Sequence, residues 1–311
     1  MSNEVKKTSR GGQAIIEGVM MKGPKEIGIC VRKSDGEIVK TKKAVSAVNK
    51  NILAKIPIIR GCINFFESMV IGVKALMYSA DFMDLEEEEE PSKFEKWLED
   101  KLGDKLKDVL IYFSVILSIF LSVGLFMLLP NWITSFFGIW VKNNIVLNAI
   151  EGIVRICVFL VYLALCAKMP DIKRVFQYHG AEHKSIACYE AGEELTVENA
   201  RKQSRLHPRC GTSFLFLVMI ISIICFSFLS WETNILVRSL SRIALMPVVA
   251  GISYEVLKFT GRHDNKCTMI MRAPGMWLQK ITTNEPDDSQ LEVALESLKL
   301  VLTDDPAEDE W

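Results

Sequence analysis

Four histidines occur in the 311 residues, at 179, 183, 207 and 263. His179, Glu182 and His183 lie in YHGAEHKSIACYEAGEEL, which begins at Tyr178. At ~100° per residue a helix places all three on one face. Two imidazoles one turn apart can grip a single metal ion, and the carboxylate between them can join as a ligand or take a proton from water. Downstream, RLHPRCGTSF begins at Arg205. Pro208 keeps His207 extended, and Gly211 permits a tight turn directly after Cys210. His179, His183, His207 and Cys210 therefore form a candidate His₃Cys set for a divalent metal, zinc by its donors. The set is closed if all four bind. It is open if Cys210 stands outside the ligand shell or acts as a nucleophile. Glu182 and Glu255 are the candidate general bases. The His-x-x-Glu-His order is that of inverted zinc peptidases, and Glu255 follows His183 by 72 residues, but the rest of the chain is unlike those enzymes.

These residues have plainer readings as well. Histidine pairs at helical spacing commonly sit on surfaces, and Cys210 can be an inert thiol, as expected of Cys157, Cys166 and Cys225. Arg201, Lys202, Arg205 and Arg209 can serve only to fix topology or touch anionic headgroups. Glu151 and Arg155, four residues apart, are expected to neutralise each other. Glu17 sits in an apolar stretch and needs a partner, either Arg60 or the metal pocket.

The elements that must position these groups are largely apolar. VLIYFSVILSIFLSVGLFMLL at 109–129 and the charge-free run Cys210–Trp231 each read as a membrane-crossing helix. Segments 145–167 and 243–260 read as weaker ones, interrupted by Glu151 and Arg155 and by Glu255 and Lys258. Lysine and arginine number five in 93–107, one in 130–145, eight in 168–209, two in 232–242 and five in 258–280. Basic segments stay in the cytoplasm. The expected architecture is therefore a mainly α, multi-pass membrane protein, with four crossings as two hairpins and both termini cytoplasmic. Its expected order is a β-containing region (1–57), an apolar amphipathic helix along the membrane (58–83) and a charged linker (84–108). A first hairpin (109–167), a His/Cys loop (168–211), a second hairpin (212–260), a cytoplasmic segment (261–284) and an acidic tail (285–311) follow. A crossing by 58–83 is the alternative. Asp35-Gly36 is expected to turn a hairpin. Leu291, Leu295, Leu298 and Leu302 are expected to share a face of a short helix in the tail.

Composition sets the bounds. Half the residues are hydrophobic and 24% charged, so the two classes must be segregated along the chain. A net charge of −1 offers no field for nucleic acid. The eight cysteines contain no Cys-x-x-Cys pair, which argues against a disulfide framework or a four-cysteine ribbon. The Glu86–Glu90 run reads as solvated. Expected partners are membrane lipids, with a second copy or another membrane protein as further candidates.

Five stretches carry a resemblance: GGQAIIEGVMMKGP at 11–24, IIRGCINFFESMVIGVKALMYSA at 58–80, YHGAEHKSIACYEAGEELT at 178–196, RLHPRCGTSF at 205–214 and PDDSQLEVALESL at 286–298. Together the chain resembles the YqhQ-like family of bacterial membrane proteins, a domain of unknown function described as metal-dependent enzymes with no established reaction. The resemblance implies an integral membrane protein with a metal site at His179, Glu182, His183, His207 and Cys210. A hydrolytic or lyase reaction on an amphiphile reached from the cytoplasmic leaflet is the leading expectation. A non-enzymatic scaffold or regulator with a structural metal is the alternative, and a transporter, which would need an oligomer, is third.

Overall fold

The structure is a computed structural model that describes residues 8, 10–45, 56–82, 106–229, 234–263 and 265–303. The Glu86–Glu90 run, most of the charged linker, Asp264 and the end of the acidic tail lie outside them. The chain is mainly helical and divides into two units.

The first unit comprises residues 1–83, 161–222 and 245–311. Its sheet is an antiparallel meander of β1 (Gly11–Ile15), β2 (Gly18–Lys22), β3 (Glu26–Arg32) and β4 (Ile38–Ala44). Asp35-Gly36 turns β3 into β4 as expected, with Gly36 at φ 89°. Side chains alternate between the two faces of a strand, and here both faces are covered. Val19, Met21 and Cys30 pack against Tyr178, Leu291, Leu295 and Leu298, while Ile15, Met20, Ile29 and Val31 pack with Ala75. The second group meets α1 (Ile59–Ala80). Double coverage explains why EIGICVR reads as a nearly continuous apolar run.

The β1–β2 turn holds Glu17 at φ 49°. Its carboxylate accepts hydrogen bonds from Arg174 and, at 3.2 Å, from Tyr178 Oη. Neither Arg60 nor the histidine cluster is the partner, which corrects the sequence reading and ties the turn to the helix carrying the histidines.

The acidic tail is a core element as far as Thr303. Its helix, written α10 below (Asp288–Lys299), starts in a capping box: Asp287 accepts from Gln290 N–H at 2.9 Å and Gln290 Oε1 accepts from Asp287 N–H at 3.0 Å. Leu291, Leu295 and Leu298 are buried, whereas Leu302 lies past the helix and is exposed.

The second unit comprises residues 84–160 and 223–244. Here α2 (Leu106–Val123) passes through a π-helical turn (Gly124–Leu128) into α3 (Leu129–Phe137). Pro130 has no N–H to donate and crowds the preceding turn, and the wider π turn lies at that point. The remaining helices among the described residues are α4 (Asn144–Cys166), α5 (Pro170–Glu190), α6 (Val197–Lys202), α7 (Gly211–Ser227), α8 (Ile235–Arg262) and α9 (Lys266–Thr282).

Glu151 does pair with Arg155, at 2.6 Å, but Arg242 also donates to it, at 2.5 Å, and reaches Asn148 Oδ1 at 2.8 Å. Arg238 donates to Asn131. Arg238 and Arg242, counted as loop charges in the sequence, are therefore buried helical residues, because the helix expected over 243–260 begins at 235.

Among the described residues, three stretches are long and apolar enough to cross a membrane: Phe113–Phe137, Asn144–Cys166 and Leu236–Arg262. Four were expected. The exception is α7, which is apolar but has 17 residues; at ~1.5 Å each it extends about 26 Å, against a hydrocarbon core of about 30 Å.

Candidate metal centre

Helix α5 starts at Pro170, whose missing N–H costs nothing in the first turn. It presents His179, Glu182 and His183 on one side, as their spacing requires. Cys210 arrives from the loop after α6 and directly precedes α7. The Nε2 atoms of the two histidines and Sγ of Cys210 lie within 4.8 Å of one another. His179 Nε2 is 3.2 Å from the sulfur, and the two imidazole centroids are 4.4 Å apart.

Backbone carbonyls fix both rings. His179 Nδ1 donates to Thr282 O at 2.9 Å, and His183 Nδ1 donates to Arg205 O at 2.6 Å. A carbonyl only accepts, so each Nδ1 carries hydrogen and each Nε2 is turned toward the sulfur. His183 Nε2 is buried and makes no hydrogen bond. Glu182 Oε2 lies 3.4 Å from it and 4.0 Å from His179 Nε2, while Glu182 Oε1 accepts from Gly12 N–H at 2.8 Å.

Gly12 is required for that contact, since a Cβ there would fall 2.7 Å from Glu182 Cγ and 2.8 Å from Met20 O. The double glycine that opens β1 thus lets a strand approach α5 closely enough to hold a carboxylate by its backbone.

Charge is redistributed within the cluster. Burial pushes the Cys210 thiol up, but His183 and His179 outweigh it and hold the group well below its ordinary 9.0. Burial pushes the His183 imidazolium down, yet Cys210 and Glu182 reverse this and raise it to about 9. Thr212 N–H, in the first turn of α7, also donates to Cys210 Sγ at 3.4 Å, a further contact favouring thiolate.

Residues 56–304 match the family described as Protein of unknown function (DUF1385). The chain belongs to this family. It is also 38% identical over 295 residues to Uncharacterized protein YqhQ of Bacillus subtilis strain 168, covering 94% of this chain and 92% of that one. No solved structure matches. Every side chain of the cluster and both supporting carbonyls lie inside the part matched to DUF1385, while Gly12 lies before it.

Two further residues assigned from the sequence of this DUF1385 member, His207 and Glu255, have other partners. His207 stands behind His183, with centroids 5.6 Å apart, and its Nε2 is 3.4 Å from Glu190 Oε2. Arg209 donates to Glu190 Oε1, and Thr8 N–H donates to the same oxygen at 2.8 Å. Burial raises the Glu190 carboxyl, but His207 and Arg209 prevail and hold it below its ordinary 4.5. Gln279 anchors the His207 backbone on both sides, accepting from its N–H at 2.8 Å and donating to its carbonyl at 2.8 Å.

Glu255 is not at the cluster. Arg60 of α1 holds it through two hydrogen bonds, one of 2.7 Å. His263 is exposed and bonded to Phe259 O at 3.0 Å.

The cluster opens on a cavity of about 690 Å³ whose wall includes Met20, Lys22, Ile71, Phe176, Arg209 and Thr212. Two fixed imidazole nitrogens, one of them the orphaned buried His183 Nε2, and the sulfur of Cys210 fit a divalent ion of zinc type with three protein ligands and room for a fourth. Sequence spacing could not reveal the carbonyls of Arg205 and Thr282, because a backbone partner leaves no residue signature.

Proposed function

We propose that the chain is a metal-dependent hydrolase of the membrane surface, with His179, His183 and Cys210 as the ligands of one zinc ion. The observation that carries this reading is the convergence of two Nε2 atoms on one thiolate, each imidazole being keyed by a carbonyl at its far nitrogen. A zinc ion held there would supply Lewis acidity to a carbonyl or phosphoryl oxygen. Glu182 Oε2, beside the two Nε2 atoms, accepts the proton of an attacking water and returns it to the leaving group. Gly12 N–H holds the other carboxylate oxygen and so fixes which lone pairs face the reaction. The cavity wall mixes apolar side chains with Lys22 and Arg209, which suits an amphiphile with an anionic head.

Elemental analysis of the full chain in detergent should find about one zinc per molecule. His179→Ala with His183→Ala should abolish it, and undiminished metal in that variant would overturn the site. Glu182→Gln should keep fold and metal while losing turnover on a panel of acyl and phosphate esters.

The low thiol pKa favours one second reading, in which Cys210 is a nucleophile activated by the histidines without metal. A metal-free chain alkylated stoichiometrically at Cys210 would support it.

A further inference from the structure

Helix α1 has an outer face that the described residues of its own unit leave largely exposed. At ~100° per residue, Phe66, Met69, Val70, Val73, Leu76 and Met77 fall within about 120° of arc, and each is 41% to 60% exposed. Ile59 and Ala80 extend the same arc, which holds no charged residue from one end of the helix to the other, and Cys62 near its start is half-buried and donates its thiol to Pro247 O of α8 at 2.7 Å. At ~1.5 Å per residue its length is about 33 Å. Gly61, Gly72, Ala75 and Ser79 lie opposite and are buried. The helix has three charged residues, Arg60, Glu67 and Lys74. They recur every seventh position and therefore line one edge between the two faces.

The buried side is tied down at both ends. Near the start, Gly61 and Gly251 permit a close crossing of α1 and α8: a Cβ on Gly61 would stand 2.8 Å from Tyr254 Cβ and 2.9 Å from Gly251 O. Arg60 grips Glu255, and Asn64 donates to Tyr254 Oη at 2.8 Å. These partners belong to Leu236–Arg262, one of the stretches able to cross a membrane. Near the end, Ser79 Oγ accepts from Ile16 N–H at 3.2 Å. Ser68 and Ile71, on the side away from the apolar arc, line the cavity of the metal site.

We propose that α1 is an interfacial helix whose apolar arc is immersed in the acyl boundary of the bilayer and whose exposed Lys74, at the edge of that arc, lies at headgroup level, while Arg60 and Glu67 on the same edge are turned to Glu255 and to Lys22, the latter at 3.6 Å. A protein partner would be expected to meet some hydrogen-bonding groups across such an area, whereas an unbroken apolar arc edged by charge is what an in-plane membrane helix presents. The direct crossing of α1 on α8 keeps that arc beside a candidate span. This placement does not depend on the metal chemistry proposed above.

The test reads three positions singly in the full chain. Met69, Val73 or Met77 is replaced by a fluorescent non-canonical amino acid, and the protein is reconstituted in phosphatidylcholine vesicles. Lipid brominated on the acyl chain should abolish most of the emission at all three, and aqueous iodide should leave it unchanged. Quenching by iodide would place the arc in water. Protection from both quenchers would place it against protein. Either result overturns the proposal. The His179→Ala, His183→Ala variant should give the same quenching, so failure of the metal site and failure of the membrane contact are read separately.

Discussion

At the residue scale, the proton bound by His183 makes the metal chemistry measurable. In the metal-free cluster this imidazolium persists to about pH 9, above its ordinary 6.5, while the neighbouring imidazoles hold the Cys210 thiol well below its ordinary 9.0 and so favour thiolate. A metal that takes His183 Nε2 must displace that proton, so affinity should rise with pH through neutrality, by about tenfold per unit, and level off above His183's pKa. Calorimetry in buffers of different ionisation enthalpy should find about one proton released per metal near neutrality; release of two would mean that Cys210 begins as a thiol. His207 gives a contrasting expectation. It is bonded into the Glu190–Arg209 group, so His207→Ala should retain stoichiometric metal yet lower stability by about 1–3 kcal/mol through the polar partners it strands. Metal content and thermal unfolding of the same preparation separate the two effects. The pair at 179 and 183 was legible because helical periodicity fixes which side chains share a face. His207 was misassigned because its sequence proximity to Cys210 says nothing about Glu190, two turns further along α5 than His183, which draws it away.

At the element scale, the site depends on how closely α5 and the chain leaving α9 approach. A Cβ on Gly180 would fall 2.1 Å from Asn284 O, and Asn284 N–H donates to Phe176 O at 2.8 Å. That contact seats Thr282, whose carbonyl orients His179. Gly180→Ala must push the two segments apart, and loss of such an outer-sphere hydrogen bond typically costs 10–100-fold in metal affinity. A loss in that range, measured by competition with a chelator, is therefore expected although no ligand has changed; unaltered affinity would show that the Thr282 carbonyl does not orient His179. The helices themselves were readable from apolar runs and caps, and the buried leucines of α10 from their spacing. What escaped was pairing across long separations: Glu17 with Arg174, Glu255 with Arg60, and Glu151 with Arg242 as well as Arg155. A carboxylate in an apolar stretch announces that it needs a cation, but several cations satisfy that demand until the packing is known.

At the scale of the whole molecule, contacts within the first unit constrain how often the chain crosses a membrane. The segment before α7 meets the segment after α8 directly: His179 bonds Thr282 O, and Arg205 donates to Thr283 O at 2.6 Å. Two segments in contact lie on one side, so an even number of crossings separates them. If α8 crosses, α7 must cross as well, despite its 17 residues. The same reasoning applies earlier, where Gly12 bonds Glu182 and Glu17 bonds Arg174; the path through α2–α3 must be returned by α4. If these helices cross, parity requires four crossings, one more than helix length alone provides. With Arg238 and Arg242 on α8, Lys142 is the basic residue between α3 and α4, against eight in 168–209, and the positive-inside rule therefore predicts that the histidine side should be cytoplasmic. In a chain whose exposed Cys157 and Cys267 are replaced by serine, a cysteine at Lys142 should react with a membrane-impermeant maleimide added to intact cells. A cysteine at Lys202 should react only after the membrane is opened. Labelling of both from outside would break the parity and, with it, the placement of the metal site at the inner surface.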